Sequence, residues 1–270
     1  MVETDLLRQV NFYLNQKTGL VLSRNQSGHL QVRLKKILEN HHADPATVSD
    51  LLDRNPQFFE QILEEVLINE SYFFRNPDHF RVLREIIFPV LLDRLAFRKD
   101  KSLRVLSIGC STGQEPLSIL FTFYETNHSK DPVDIHVDAI DLSRKAIVTA
   151  LTGEYTRMQS RGLSEEMTDK YFVRGSRDRI RVLTGFLDKI SYYHGNILDF
   201  NLYDHFYDLV FARNTLIYFD DVRQEQVKQK LVKGLKSGGY LFLGESEIGY
   251  GLGDRIQSMK FNQSIVYRKR

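Results

Sequence analysis

Cysteine is nearly absent from this sequence, where Cys110 stands alone. A single thiol makes no internal disulfide, and no Cys/His cluster has zinc-site spacing, so neither a stapled fold nor a metal centre is expected. A bulk excess of one charge is missing too. Lys and Arg number 37 against 35 Asp and Glu, a formal net charge of +2. That gives no global pull toward nucleic acid or membrane, and any electrostatic argument must be local. No apolar run approaches membrane-spanning length, and the N-terminal stretch lacks a signal-peptide apolar segment. A soluble, cytoplasmic chain without membrane insertion is expected. Repeats and low-complexity segments are absent, as is any Ser-His-Asp or Cys-His set. What remains is 270 residues, 42% hydrophobic and 27% charged. That is room for one large domain, or a small one plus a medium one.

The chain is organised around residues 104–120. Val105, Leu106 and Ile108 read as a buried strand ending in Gly109, Gly109 to Gly113 as a turn of small residues, and Leu117, Ile119, Leu120 and Phe123 as a helix. Strand, glycine turn and helix open a nucleotide-binding α/β sheet, in which missing Cβ atoms let a cofactor approach the backbone. The spacing is not G-x-G-x-x-G, and acidic Glu115 sits where an anion would dock at the helix start. A cofactor carrying positive charge suits the loop better, and S-adenosylmethionine, a sulfonium, is the candidate.

Residues 1–67 carry only helical patterns, such as Leu6, Leu7, Val10 and Tyr13, or Leu30, Leu34, Ile37 and Leu38. This predicts a small all-α N-terminal domain, with 68–270 as a second. Between Lys17 and Leu38 lie five basic residues and no acidic one. Arg33, Lys35 and Lys36 fall away from the apolar stripe, as either a solvated face or, with Arg24, a docking surface for an acidic partner. In the apolar junction 68–77, Arg75 is either an interdomain ion pair or a charge facing the cofactor cleft. Asp141 ends an alternating strand one helix after the glycine loop, where doubly wound folds grip ribose hydroxyls; the alternative is a helix cap, which Ser143 can supply. Residues 171–193 predict an antiparallel β-insertion. Tyr207–Arg213 is a strong strand, and Asn214–Asp220 continues as a loop past its C-terminal end, where sites in open α/β sheets collect. Tyr218 there is either a core tyrosine or a cleft hydroxyl. Two final strands, 240–244 and 264–270, are expected, the last at an edge.

These residues together resemble the chemotaxis-receptor methyltransferases, the CheR family of S-adenosylmethionine-dependent protein-glutamate O-methyltransferases. NESYFFRNPDHF at 69–80, GCSTGQEPLSI at 109–119, DAIDLS at 138–143, FARNTLIYFD at 211–220 and GGYLFLGESE at 238–247 carry the likeness. It implies a class I, Rossmann-like methyltransferase sheet with a small antiparallel β-subdomain at about 171–193, after an all-α N-terminal domain that docks receptors. It implies cofactor contacts at Asn69, Ser71, Arg75, Glu115, Asp141, Asn196, Ile197, Arg213 and Asn214, with Arg75 and Tyr218 nearest the methyl group. Family members usually have Thr at Ser71, Glu at Gln114, Tyr at Leu117 and His at Glu245. Ser71 keeps the hydroxyl, and Gln114 removes one charge but leaves Glu115.

The implied reaction is displacement by a receptor glutamate on the sulfonium methyl, leaving S-adenosylhomocysteine. A carboxylate is ionised near neutral pH, so no general base is required. Arg24, Arg33, Lys35 and Lys36 then steer the acidic methylation helices of chemoreceptors. The partner is the receptor's cytoplasmic helical region; neither nucleic acid nor metal is expected, and the protein is expected to be a monomer. The short loop Arg174–Ile180 looks like the type that does not use a receptor C-terminal pentapeptide. The rivals are a class I methyltransferase acting on a small molecule or RNA, and a non-catalytic module that binds S-adenosylmethionine.

Overall fold

A computed structural model describes residues 2–128, 133–176, 178–247 and 249–270. They form two compact units. The first comprises residues up to Ile68 with Ile217–Gln224, and the second Asn69–Leu216 with Glu225–Arg270.

The first unit is helical because its apolar residues recur at helical spacing. Helix α1 (Val2–Thr18) buries Leu6, Val10 and Leu14, four residues apart, and stops at left-handed Gly19. Helix α2 (Arg24–Asn40) opens on a capping box. Gln26 N donates to Ser23 Oγ (3.3 Å) and Ser23 N to Gln26 Oε1 (2.9 Å). Its inner face is Leu30, Leu34, Ile37 and Leu38. Helix α3 (Val48–Arg54) follows, then α4 (Pro56–Val66), capped by Asn55 Oδ1 at Phe58 N (3.0 Å) with Pro56 in its first turn. Buried Gln26 donates from Nε2 to Val66 O (2.9 Å) and ties α2 to α4. Segment 217–224 joins through a Leu20–Phe219 bridge and Val21 N donating to Tyr218 O (2.8 Å).

The second unit begins with α5 (Pro77–Val82), which runs through a π-helical turn, Leu83–Ile87, into α6 (Phe88–Ala96). There follow β1 (Ser102–Ile108), α7 (Gln114–Thr126), β2 (Asp134–Asp141), α8 (Arg144–Thr152), β3 (Glu154–Thr156), α9 (Glu165–Tyr171), β4 (Phe172–Arg174), β5 (Arg179–Val182), α10 (Thr184–Leu187), β6 (Ile190–His194) and β7 (Tyr207–Ala212). A short 3-10 turn, Leu216–Tyr218, leads to α11 (Asp221–Gly234), β8 (Leu235–Leu243), β9 (Ile256–Phe261) and β10 (Ser264–Lys269). The main sheet has the order β6-β2-β1-β7-β8-β10-β9. Its first five strands are parallel, and β10 is antiparallel to both neighbours. Parallel strands are covered on both faces, which is why β7 is buried at every residue. Strand order reverses direction at β1, so the carboxyl ends of β1, β2 and β7 frame the crevice where such sheets hold ligands.

Two expectations about strands change. The edge strand is β9, and β10 lies inside the sheet. IQSMKF has a half-exposed polar pattern, too weak to mark a strand by apolar alternation. The antiparallel strands β3, β5 and β4 run from Glu154 to Val182, and β6, within the expected 171–193 insertion, pairs with β2 in the main sheet. Strand β3 is only three residues long and leaves no periodic signal. Arg177, in the loop whose length bears on receptor docking, lies outside the described residues. Among the described residues no helix is long and apolar enough to cross a membrane, and no group of acidic, His or Cys side chains could hold a metal.

An aromatic cluster joins the small sheet to α7. Phe121 stacks on Tyr171 at 4.3 Å between centroids, with Phe73, Phe172 and Phe186 around it. Gly162, at φ +93°, passes so close that a Cβ would lie 2.0 Å from Phe73 O. Phe121→Ala removes a wholly buried ring from this cluster, and urea unfolding should show a loss of about 3–5 kcal/mol.

Candidate functional site

The turn after β1 needs glycine at both ends. At Gly109 (φ +68°) a Cβ would lie 2.0 Å from Thr215 Oγ1, and at Gly113 (φ +92°) 2.7 Å from Tyr192 Oη. Between them, Ser111 N donates to Asp141 Oδ2 at 2.7 Å, and Ser143 N donates to Oδ1 at 2.8 Å. Ser143 Oγ caps α8 by accepting from Ala146 N (3.0 Å). Capping thus falls to Ser143, while the Asp141 carboxylate is clamped against the glycine turn. Ser111 Oγ donates to Asn69 O (3.0 Å), and Asn69 Nδ2 to Ser143 Oγ (3.1 Å). Gly195 N donates to Asp141 O (2.9 Å) and brings the Asn196–Ile197 turn alongside. Lys230 Nζ holds that turn through Ile197 O (2.9 Å) and Leu198 O (2.6 Å). Asn69, Asp141 and Asn196 are therefore brought to one corner.

A second corner forms around Glu115 in the first turn of α7. Its Oε1 accepts from Ser107 Oγ (2.8 Å), and its Oε2 from Arg213 Nη1 (3.2 Å). The Arg213 side chain is 1% exposed and that of Glu115 13%. Arg213 also donates to Asn76 Oδ1 (2.6 Å) and to the carbonyl of Arg75, and it lies over the Phe80 ring. Burial lifts the Glu115 carboxyl above its usual range, although Arg213 and the Ser107 hydroxyl pull it back. Burial likewise draws Arg213 down, against Glu115. Each ion's desolvation outweighs what its partner returns.

Arg75 sits between two left-handed residues, Phe74 (φ +55°) and Asn76 (φ +58°), strained backbone that Arg213 holds through the Arg75 carbonyl. Its guanidinium donates to Glu70 O (3.0 Å) and lies 5.9 Å from the Tyr72 ring centre. Ser71 is half-buried on the same segment, and Asn214 follows Arg213 in left-handed backbone (φ +57°). Tyr218 is half-buried in the 3-10 turn, within the segment grouped with the helical unit. Arg24, Arg33, Lys35 and Lys36 are exposed on α2, and Arg33 lies 3.5 Å from Glu65. Sequence reasoning missed Ser107, which meets Glu115 across the glycine turn, and Asn76 and Glu247, whose partners are more distant in sequence. Buried His79 is driven down to about 4, mainly by desolvation, so it is neutral at physiological pH.

A family profile described as "CheR methyltransferase, SAM binding domain" matches residues 69–265. The chain is 31% identical over 264 residues to Chemotaxis protein methyltransferase 1 of Pseudomonas aeruginosa, covering 95% of this chain and 94% of that one. It is 30% identical over 269 residues to Chemotaxis protein methyltransferase Cher2 of Pseudomonas putida, covering 96% of each. It is also 32% identical over 221 residues to the probable biofilm formation methyltransferase WspC of Pseudomonas aeruginosa, covering 81% of this chain and 51% of that one.

Arg213→Met strands the Glu115 carboxylate in a buried site and should cost about 3–5 kcal/mol in urea unfolding near pH 8. Without its counter-charge Glu115 is raised further in the folded state, so the folded variant holds the proton more tightly than its unfolded chain. Stability then falls as pH rises through that window, and the deficit against wild type should be larger at pH 8 than at pH 5.

Proposed function

The chain belongs to the CheR methyltransferase family, whose cofactor is S-adenosyl-L-methionine, and from that premise we propose that it methylates glutamate side chains in the cytoplasmic helical region of chemoreceptors. The products are glutamate 5-O-methyl esters and S-adenosyl-L-homocysteine. The observation that carries this reading is likeness along nearly the full chain, α2 included, to proteins named chemotaxis methyltransferases. Likeness to WspC supports a second reading, in which the receptor belongs to a related signalling pathway.

The residues present fit the cofactor. Glu115 is a buried carboxyl raised by desolvation, and a neighbouring cation would stabilise its ionised form. Asp141, held at the end of β2, is placed to accept from ribose hydroxyls. Asn69, Ser71, Asn196, Ile197, Arg213 and Asn214 complete the proposed lining. When bound, S-adenosyl-L-methionine supplies a methyl group activated on a sulfonium. Arg75 binds a carboxylate, of the cofactor or of the incoming glutamate. Tyr218 donates a hydrogen bond to the acceptor carboxylate and fixes its direction of approach. No side chain has to remove a proton, since the nucleophile is already ionised, and buried neutral His79 is left without a part. Orientation supplies the rate.

The exposed basic residues of α2 bring in the acidic acceptor. Complementary charge mainly accelerates encounter, and each methylation removes one acceptor charge. The short Arg174–Ile180 loop supports docking without a receptor C-terminal pentapeptide.

A methyl-transfer assay offering receptor cytoplasmic fragment and total RNA tests the substrate class; label on RNA and not on the fragment would overturn the proposal. In the same assay Tyr218→Phe should keep S-adenosylhomocysteine affinity within about threefold while kcat falls about 10²-fold. Unchanged kcat would remove Tyr218 from the mechanism. Methylation should slow as salt rises, and charge reversal at Arg33 and Lys36 should flatten that dependence; indifference of the wild type to salt would rule out steering.

A further inference from the structure

Glu247 has no part in the scheme above, yet it is 4% exposed. A buried carboxylate is costly unless hydrogen bonds satisfy it. Four backbone N–H groups converge on this one. Thr215 (2.7 Å) and Leu216 (2.6 Å) donate to Oε1, and Asn214 (2.8 Å) and Gly244 (2.7 Å) donate to Oε2. Three of these amides are consecutive and belong to the chain as it leaves β7; the fourth follows the end of β8. The packing is close, because a Cβ at Gly244 would lie 2.5 Å from Glu247 Oε2 and 2.9 Å from Asn214 N. On the other side, Thr215 Oγ1 donates to Ile108 O (3.0 Å) and pins the same segment to the end of β1.

We propose that Glu247 is a positioning residue: its carboxylate clamps the backbone 214–216 at the carboxyl edge of the sheet and thereby fixes Asn214 against the cofactor. The inference rests on the reading that Asn214 borders the cofactor. Asn214 is held in left-handed backbone, which three consecutive amides turned toward one acceptor can sustain where an unclamped loop would relax. Only a side chain with two acceptor oxygens and the reach of glutamate serves. Glutamine offers one oxygen and turns its amide N–H groups toward two of the four donors. Aspartate is one methylene shorter and draws back from the loop.

The test is Glu247→Gln, with Phe88→Leu, a buried change in α6, as a destabilised control matched in Tm. In Glu247→Gln, amides 214–216 should exchange with solvent at least tenfold faster, and S-adenosylhomocysteine should bind at least tenfold more weakly by calorimetry. The control should change neither. Glu247→Asp should show the same pair of effects and serves if the glutamine variant does not fold. Affinity within twofold of wild type, or a loss equal to that of the control, overturns the proposal. Hydrogen exchange and product binding need no acceptor protein, so failure of the wild type to methylate receptor would count against the functional reading and leave this inference standing.

Discussion

A carboxylate and a guanidinium buried together at the carboxyl edge of a parallel sheet set the terms for the rest of this protein. Glu115 and Arg213 are 98 residues apart in sequence and joined at 3.2 Å. Neither recovers its desolvation from the other. Buried ion pairs are weak contributors to stability, and one that persists beside a glycine turn points to a use elsewhere. On the proposed reading, that use is to receive a cationic cofactor where an ordinary helix N-terminus would favour an anion.

Around that pair the structure is largely a matter of holding backbone. Asp141 grips two amides, Arg213 takes the carbonyl of Arg75, and Glu247 gathers four N–H groups. Left-handed residues at Phe74, Asn76, Ser111 and Asn214 accumulate in these segments. Such backbone persists only when its surroundings over-determine it. On the proposed reading, charged side chains at the carboxyl ends of the strands serve two ends: some meet ligand, and others fix the loops that present them. On the same reading, methyl transfer to a carboxylate asks little acid–base chemistry of the protein, so precision of placement is what the fold has to supply.

Much of this was legible beforehand. The run Val105 to Ile108 closed by Gly109 marks a buried strand and a tight turn, and Asp141 falls where the topology of a doubly wound sheet puts an acid. The division of labour between Asp141 and Ser143 follows from capping chemistry. Strand β9 was not legible, because its half-exposed face mixes polar and apolar residues without strict alternation. Nor was β3, three residues long. The pairing of Glu115 with Arg213 could not be read, since nothing in either local sequence names a partner so distant. Glu247 is a harder case still. Its partners are backbone amides, which every residue but proline carries, so its role leaves no mark on the residues it holds.

The most direct measurement is the affinity for S-adenosyl-L-methionine as pH rises from the ordinary carboxylate range to about 8, in wild type and in Glu115→Gln. If Glu115 receives the cofactor's positive charge, its ionised form binds better. Burial has raised its pKa, so wild-type Kd should fall as pH rises through its titration and then level off. The glutamine variant should bind more weakly at the upper end of that range and show no such slope. A wild-type Kd that stays flat over this range, or one that the variant reproduces, would contradict the account.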